Sequence, residues 1–216
     1  MSADNYTIES RVRLNDGETY PRFGVYVTEP GAETYNAVTW ALEAGYRIFF
    51  TTKLMHNKTD PAWVEHCVDV STQKAGISPD LYLIHDPNGG PEVRAAMWEG
   101  CCRVKDKGKV KSIGVSNFGV KHLEDLLAGK PKYVPAVNQI SKGIVLEAWA
   151  PLVRGLRFKH PVVVEIAEKY KKSPAQVLIR YGLDRGFIVI PKSTHKERII
   201  DNANVFDFKL EKADLD

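Results

Sequence analysis

The fold of this 216-residue chain is constrained most by the stretch Phe187-Ile188-Val189-Ile190-Pro191-Lys192-Ser193-Thr194-His195-Lys196-Glu197-Arg198. Its apolar beginning predicts a buried strand. Pro191 ends that strand because proline lacks the N–H that would continue the ladder. Arg198 then falls in the first turns of a predicted helix. The stretch therefore indicates a strand–loop–helix unit with polar residues where the strand ends.

The polar part of this unit has the composition of a phosphate site. Lys192, Ser193 and Arg198 bring two cations and a hydroxyl to a helix N-terminus, where backbone N–H groups also favour an anion. A bidentate guanidinium suits a phosphate monoester, such as the 2′-phosphate that distinguishes NADP from NAD. A solvated strand-to-helix loop is the alternative interpretation of this segment taken alone.

Two further predicted strands end in hydrogen-bonding side chains. The strand within 110–118 ends in Ser116 and Asn117, and the strand within 134–140 ends in Asn138 and Gln139. Buried strands seldom finish in this way unless a polar group lies above them. The amides could pair with the carboxamide of a nicotinamide ring. Taken singly, each ending is more simply a satisfied polar residue of the core.

Strands and helices alternate along the rest of the chain, after a hairpin signal at Asn15-Asp16-Gly17. One predicted helix, 32–44, carries Tyr35, Val38, Ala41 and Leu42 on one face. This alternation predicts a parallel sheet covered by helices. The fold class that we expect is α/β, a (β/α)8 TIM barrel with an N-terminal β-hairpin, as a single domain over residues 1–216. A doubly wound sheet would need a glycine-rich fingerprint after its first strand, which is not present.

Composition excludes several classes of function. The net charge of +3, with basic and acidic residues interspersed, does not indicate nucleic-acid binding. Apolar runs are too short to span a membrane, and Cys67, Cys101 and Cys102 have neither metal-ligand nor disulfide spacing. We therefore expect a cytoplasmic protein with a small-molecule partner and no metal.

The ordered motifs together resemble the aldo-keto reductase family over nearly the whole chain. The motifs that carry the resemblance are Pro21-Arg22-Phe23-Gly24-Val25-Tyr26, Ala41-Leu42-Glu43-Ala44-Gly45-Tyr46-Arg47, Thr52-Lys53-Leu54, Asp80-Leu81-Tyr82-Leu83-Ile84-His85, Gly114-Val115-Ser116-Asn117-Phe118, Val137-Asn138-Gln139-Ile140 and Ile190-Pro191-Lys192-Ser193. The resemblance implies an NADPH-dependent carbonyl reductase that converts aldehydes or ketones to alcohols, and most relatives of this kind are monomers.

The resemblance also implies roles for individual residues. Lys53 and His85 match the lysine and histidine of the catalytic tetrad, in which a tyrosine with a lowered pKa protonates the developing alkoxide. Tyr26 would line the substrate mouth. The cofactor-binding residues that the resemblance implies are Ser116, Asn117 and Gln139 for the carboxamide, Trp149 for the ring, Leu152 for the pyrophosphate, Lys192, Ser193 and Arg198 for the 2′-phosphate, and Asn202 near the adenine.

The sequence departs from the family in one important respect, since the catalytic aspartate and tyrosine are missing. Gly45-Tyr46-Arg47 leads directly into the strand that ends at Lys53, so one strand–helix unit is absent, and a second helix is absent after Ile140. Either the sequence omits stretches of a longer, ordinary enzyme, which we favour, or the chain is a truncated non-catalytic NADP-binding or interaction protein. Strand alternation places Tyr82 on the opposite face from His85, which makes it a poor substitute for the acid.

Overall fold

The structure is a computed structural model, and it describes residues 6–24, 31–46, 49–138, 147–149 (backbone only), 152 and 155–216. The strands of this part of the chain are β1 Arg11–Arg13, β2 Thr19–Pro21, β3 Thr51–Leu54, β4 Leu81–Ile84, β5 Ser112–Val115, β6 Glu147–Trp149 and β7 Ile188–Ile190. The helices are α1 Ala32–Glu43, α2 Ala62–Ala75, α3 Gly90–Asp106, α4 Val120–Ala128, α5 Pro161–Tyr170, α6 Pro174–Asp184, α7 Lys196–Ala203 and α8 Lys212–Leu215. Contacts divide the chain into a first unit (1–12, 21–48, 147–216) and a second unit (13–20, 49–146).

The second unit is built on a parallel sheet in the order β3-β4-β5. Residues 136–138 continue it, because Ala136 N–H donates to the Ile113 carbonyl and Val115 N–H donates to the Val137 carbonyl. One face of the sheet packs against α2, α3 and α4. The side chains at the centre of this core are Leu54, Tyr82, Ile84, Ile113 and Val115 from the strands and Val64, Val68, Met97, Trp98, Cys101 and Leu123 from the helices. Alternate strand residues point to the other face.

The tip of the β1–β2 hairpin lies at the beginning of these strands. The Tyr20 hydroxyl lies 2.9 Å from the Thr51 hydroxyl in the first position of β3. Lys105 Nζ lies 2.8 Å from Asp16 Oδ2, and both side chains are largely buried. Burial by itself would raise the pKa of Asp16, but hydrogen bonds from Lys105, from Ser112 and from the Glu18 backbone, with the charge of Lys105, together outweigh it, so this pKa is lowered. The hairpin predicted around Asn15-Asp16-Gly17 is thus confirmed.

The first unit has a smaller parallel sheet, in which β6 pairs with β7 and Phe23 bridges to Val189. Helices α1, α6 and α7, with Tyr46 after α1 and Val205 after α7, supply the rest of its core. The residues of this core are Phe23, Ala37, Ala41, Tyr46, Ile179, Leu183, Val189, Ile199 and Val205. Helix α6 begins with a capping box, in which the Ser173 hydroxyl accepts from Gln176 N–H and the Gln176 side chain accepts from Ser173 N–H.

Of the four apolar residues that helical spacing places on one face of α1, only Ala41 is buried. Tyr35 is 73% exposed and Leu42 is 42% exposed, whereas the buried positions are Ala37 and Ala41. The large rings of Phe23 and Tyr46, with centroids 4.7 Å apart, already fill the core on this side. The small side chains of Ala37 and Ala41 are the fully buried ones, Trp40 packs partly buried against the same core, and Tyr35 and Leu42 point outward.

A buried ion pair connects α6 to the segment that follows α7. Arg180 Nη2 lies 2.7 Å from Asp184 Oδ1, and the two side chains are 3% and 1% exposed. Arg180 Nη1 also donates to the Val205 carbonyl, and Leu210 N–H donates to Asp184 Oδ2. Removing either member leaves the other charged and buried.

Asp184→Ala should therefore lower the free energy of unfolding by about 3–5 kcal/mol, because Arg180 would keep its charge without a buried partner. Urea unfolding followed by circular dichroism measures this loss. The matched control is Glu168→Ala, which removes an exposed carboxylate of the same unit and should change stability by less than about 0.5 kcal/mol. A loss for Asp184→Ala no larger than that of the control would contradict the role of the pair.

Position 114 in β5 requires glycine, because the backbone at Val137 approaches it closely. A Cβ at this position would lie 2.6 Å from the Val137 carbonyl oxygen and 2.8 Å from Leu83 Cδ2. The backbone of residues 136–138 is hydrogen-bonded to β5, so it cannot withdraw without breaking the ladder. The absence of a side chain on Gly114 therefore lets the strand after α4 join the sheet.

Gly114→Ala should cost about 1–3 kcal/mol of stability through overpacking. Thermal and urea unfolding both test this. Gly129→Ala is the control, since a Cβ there would meet its nearest neighbour, the Leu126 carbonyl, at an ordinary 3.4 Å. Equal stability of the two variants would show that the contact at Gly114 relaxes without cost.

Candidate active site

Three candidate residues of the second unit lie at the carboxyl ends of adjacent parallel strands. Lys53 is the third residue of β3, His85 directly follows β4, and Ser116 directly follows β5. The register pairs Lys53 with Leu83, and Leu83 with Gly114. Their neighbours Leu54, Ile84 and Val115 face the helices, so alternation turns Lys53, His85 and Ser116 to the opposite face. The positions are those that the sequence predicts, and the catalytic roles stay predictions.

His85 is held at this strand end by its backbone. Its N–H donates to the Leu54 carbonyl at 3.1 Å, and its carbonyl accepts from Asn117 Nδ2 at 2.8 Å. The imidazole itself is 36% exposed, and its Nδ1 lies 3.5 Å from Asp86 Oδ2. The ring is therefore accessible to a small molecule while the backbone beneath it belongs to the sheet.

The loop after His85 is fixed by side chains that the sequence analysis did not identify. Asn57 Nδ2 lies 3.0 Å from the Asp86 carbonyl oxygen and 3.3 Å from Asp86 Oδ1, and Asn88 N–H donates to the same Oδ1 at 2.9 Å. Arg94, buried in α3, donates to the Pro87 carbonyl at 3.2 Å. An Asp-Pro-Asn-Gly-Gly sequence is typical of a turn, and this signal could have pointed to Asp86 as its organising residue.

Asn117, which the sequence predicts to face the nicotinamide carboxamide, also connects two strand ends. Its backbone is left-handed, with φ at 62°, a conformation that asparagine tolerates better than most residues. Its Nδ2 donates to the His85 carbonyl at 2.8 Å and lies 3.3 Å from Ser116 Oγ. The amide predicted to face a carboxamide thus also ties the end of β5 to the end of β4.

In the first unit, the candidate phosphate residues surround the beginning of α7. Lys192 is exposed after β7, and Ser193 is buried with its hydroxyl 3.2 Å from His195 N–H. Arg198 lies in the first turn of α7, is exposed, and makes no ion pair with any residue that the structure describes. Asn202 follows four residues later and is buried. All four lie on the segment from the end of β7 through α7, with Asn202, the residue predicted near the adenine, in the last turn of that helix, and their roles stay predictions.

Other candidates are only partly described. Trp149 is the last residue of β6, where it pairs with Ile190, and its side chain lies outside the described residues. Leu152 packs against the core of the first unit. Tyr26 and Gln139 lie outside the described residues.

The described tyrosines nearest in sequence to the candidate site do not replace the missing acid. Tyr82 points to the helix side of the sheet, and burial raises its pKa far above the ordinary value. Burial likewise raises the pKa of Tyr46, and its hydroxyl donates to the Ile199 carbonyl at 3.0 Å. A phenol with a raised pKa is a weaker proton donor at neutral pH, because it holds its proton more tightly.

Neither a metal site nor a membrane-spanning helix is found among the residues that the structure describes. Over this part of the chain, no three His, Cys, Asp or Glu side chains are grouped so that they could hold a metal ion. Nor does any described helix have the length and apolar character needed to cross a membrane.

Comparisons with known proteins identify the family. A sequence model described as "Aldo/keto reductase family" matches residues 27–154 and 157–216. The chain is 35% identical to an uncharacterised oxidoreductase of Schizosaccharomyces pombe, over 96% of this chain and 92% of that protein. It is 33% identical to a glyoxal reductase of Bacillus subtilis, over 97% and 92% respectively.

Solved structures agree with these relatives. An aldo/keto reductase from Brucella melitensis superposes with a TM-score of 0.88 at 34% identity, covering 95% of this chain and 96% of the other. A variant of Gox0644 in complex with NADPH gives a TM-score of 0.89 at 33% identity, covering 95% and 91%. The predicted fold class, the (β/α)8 barrel, is thereby confirmed.

The comparison also bears on the missing segments. The alignment with the Schizosaccharomyces pombe protein extends over 256 positions, whereas 96% of these 216 residues is about 207, so about 49 aligned positions have no counterpart here. A deficit of this size inside the matched span agrees with the predicted loss of a strand–helix unit and a second helix. The family model, the sequence relatives and the solved structures all agree, so the chain belongs to the aldo/keto reductase family, although those segments are missing from it.

Proposed function

We propose that this chain is an NADPH-dependent carbonyl reductase that converts aldehydes or ketones to alcohols by hydride transfer. The observation that carries the proposal is the placement of Lys53 and His85 at neighbouring strand ends on the face away from the helices. An ammonium and an imidazole there can polarise a carbonyl and stabilise the charge that develops on its oxygen. The names of two relatives, the glyoxal reductase and a methylglyoxal reductase DkgA of Yersinia pestis, support small carbonyl compounds as the substrate class.

The chain's own residues also fit the phosphorylated end of NADPH. Arg198 and Lys192 are exposed at the beginning of α7, where no side chain caps the helix. Its first N–H groups are therefore available to an anion, in line with the positive end of the helix dipole. Lys196 of the same helix pairs with Glu43 at 3.2 Å, whereas Arg198 forms no ion pair with the residues that the structure describes.

The remaining assignments belong to the same proposal. NADPH would supply the hydride, with its 2′-phosphate on Lys192, Ser193 and Arg198 and its adenine near Asn202. The other proposed contacts are Ser116, Asn117 and Gln139 to the carboxamide, Trp149 to the ring, Leu152 to the pyrophosphate, and Tyr26 to the substrate.

A second candidate function is that of a non-catalytic NADP-binding protein. It is favoured by one observation, namely that Gly45-Tyr46-Arg47 continues into the strand ending at Lys53 without the tyrosine of the family. The two candidates make the same prediction for cofactor binding and opposite predictions for turnover.

Turnover is tested by following NADPH absorbance after adding glyoxal or methylglyoxal to the purified chain, whose intact mass is first checked against 24.2 kDa. We expect aldehyde-dependent oxidation, and Lys53→Met should lower kcat at least about 100-fold because the site loses its ammonium. Lys74→Met, which changes an exposed lysine of α2, is the control. NADPH binding without turnover would favour the second candidate.

Arg198→Ala should weaken NADPH binding by about 1.5–3 kcal/mol, the loss expected for a hydrogen bond to a charged group. The effect on NADH should be small, because NADH lacks the 2′-phosphate. Isothermal titration of both cofactors measures the difference, with Arg157→Ala as the control, since Arg157 is an exposed arginine outside the β7–α7 segment. Unchanged discrimination between NADPH and NADH in Arg198→Ala would refute the phosphate role.

A further inference from the structure

Asn57 lies in the loop between β3 and α2, and its side chain reaches the loop that follows His85. Asn57 Nδ2 lies 3.0 Å from the Asp86 carbonyl oxygen, 3.3 Å from Asp86 Oδ1 and 3.2 Å from the Asn88 carbonyl oxygen. One amide nitrogen therefore has three acceptors of the neighbouring loop within reach of its two protons. Because Lys53 precedes one loop and His85 begins the other, Asn57 connects the segments that carry the two candidate catalytic side chains.

The orientation of this amide is determined by its surroundings. A carboxylate and two backbone carbonyls offer only acceptors, so the nitrogen of the amide, and not its oxygen, faces them. The amide oxygen of Asn57 is buried and accepts no hydrogen bond from any residue that the structure describes. The contribution of Asn57 to this site therefore comes from its donor, and a side chain of the same size without a donor should lose it.

His85 depends on such a connection because the ladder holds only its amino side. β4 ends one residue earlier, and the N–H of His85 still donates to the Leu54 carbonyl at 3.1 Å. Beyond this bond the chain leaves the sheet, and side-chain amides take over. The carbonyl of His85 accepts from Asn117, and the carbonyl of Asp86 accepts from Asn57. The direction of the imidazole, which is 36% exposed, therefore depends on these loop contacts as well as on strand pairing.

We propose that Asn57 is a positioning residue that holds the imidazole of His85 at a fixed distance from the ammonium of Lys53. This inference rests on the carbonyl reduction proposed above, in which both groups act on one carbonyl oxygen. Two groups can stabilise the same developing charge only while their separation is maintained, and a displacement of about 1 Å can cost about 100-fold in rate. Asn57 maintains the separation by connecting the loop after one strand to the turn after the next.

The other groups that hold this turn connect it to different parts of the unit. Asn88 N–H donates to Asp86 Oδ1 at 2.9 Å, which is a contact within the turn itself. Arg94 donates to the Pro87 carbonyl and pairs with a carboxylate of α4 at 3.1 Å, so it connects the turn to the helices. Among these groups, Asn57 is the one that reaches across to the loop of Lys53.

Three substitutions of Asn57 separate its donor from the rest of the side chain. Asn57→Asp keeps the size but places a carboxylate against three oxygens, Asn57→Ala removes the group, and Asn57→Gln keeps an amide on a longer chain. We expect kcat/KM for glyoxal to fall at least about tenfold in the first two, mainly through kcat, and to be partly retained in the third. The Kd for NADPH should change by less than about twofold, since Asn57 is none of its proposed contacts. Asn36→Asp makes the same chemical change at an exposed position of α1 and is the control.

The pH dependence of Asn57→Asp provides a readout that a general loss of structure would not produce. The new carboxyl would face the Asp86 carboxylate and two carbonyls, so its pKa should be raised, and its protonated form regains an O–H donor. Lys58 lies over the Trp63 ring at 3.4 Å and Arg94 pairs with α4, so each of these cations already has a partner. Relative to the unaltered protein, the rate of Asn57→Asp should therefore recover as the pH falls from about 8 to about 5, and that of Asn57→Ala should not.

NMR relaxation of the His85 ring tests the inference without substrate or cofactor. With the ring assigned by comparison with His85→Gln, its motion should increase in Asn57→Asp and Asn57→Ala and stay unchanged in Asn36→Asp. Unchanged ring motion in both Asn57 variants, or an undiminished kcat/KM, overturns the positioning role, and so does an equal loss of NADPH affinity. If the unaltered chain reduces no carbonyl, the reductase proposal fails, and the ring motion alone decides whether Asn57 holds His85.

Discussion

The parallel ladder from β3 to β5 is the constraint on which the candidate site of the second unit depends. Side chains alternate along each strand, and the register fixes Lys53 beside Leu83 and Leu83 beside Gly114. Once Leu54, Ile84 and Val115 are buried against the helices, the residues between and after them must turn to the other face. A slip of one residue would exchange these two sets, and it would bury an ammonium among apolar side chains.

A small set of side-chain hydrogen bonds fixes the loops that follow these strands. Hydrogen bonds among Asn57, Asp86 and Asn88 connect the loop after β3 with the loop after β4. Arg94 of α3 donates to the Pro87 carbonyl in the second of these loops. Loops between strand and helix expose polar backbone groups, and those that are not in the ladder need side-chain partners. Asparagine and aspartate supply such partners at short range. The geometry of His85 is therefore a result of loop hydrogen bonds as much as of the strand beneath it.

Much of this arrangement can be predicted from particular residues. Apolar runs such as Phe187–Ile190 mark buried strands, Ser173-Pro174 marks the beginning of α6, and Asn15-Asp16-Gly17 marks the hairpin, and each agrees with the structure. Polar residues at strand ends marked Lys53, His85 and Ser116. Spacing placed Tyr35, Val38, Ala41 and Leu42 on one face of α1, but only Ala41 is buried there. Helical periodicity says which residues share a face, but the volume left by Phe23 and Tyr46 decides which face fits the core.

By itself, the sequence determined the order of strands and helices, the chemical type of each strand end and the absence of the family's tyrosine, because these follow from local periodicity and residue identity. Only the tertiary structure decided that Asp86 lies against His85 and is held by Asn57, that Asn117 braces the carbonyl of His85, and that Gly114 admits the next strand. Asn57 and Asp86, like Asn117 and His85, are about thirty residues apart in sequence. Contacts at that separation depend on sheet register and loop conformation, which no local pattern encodes.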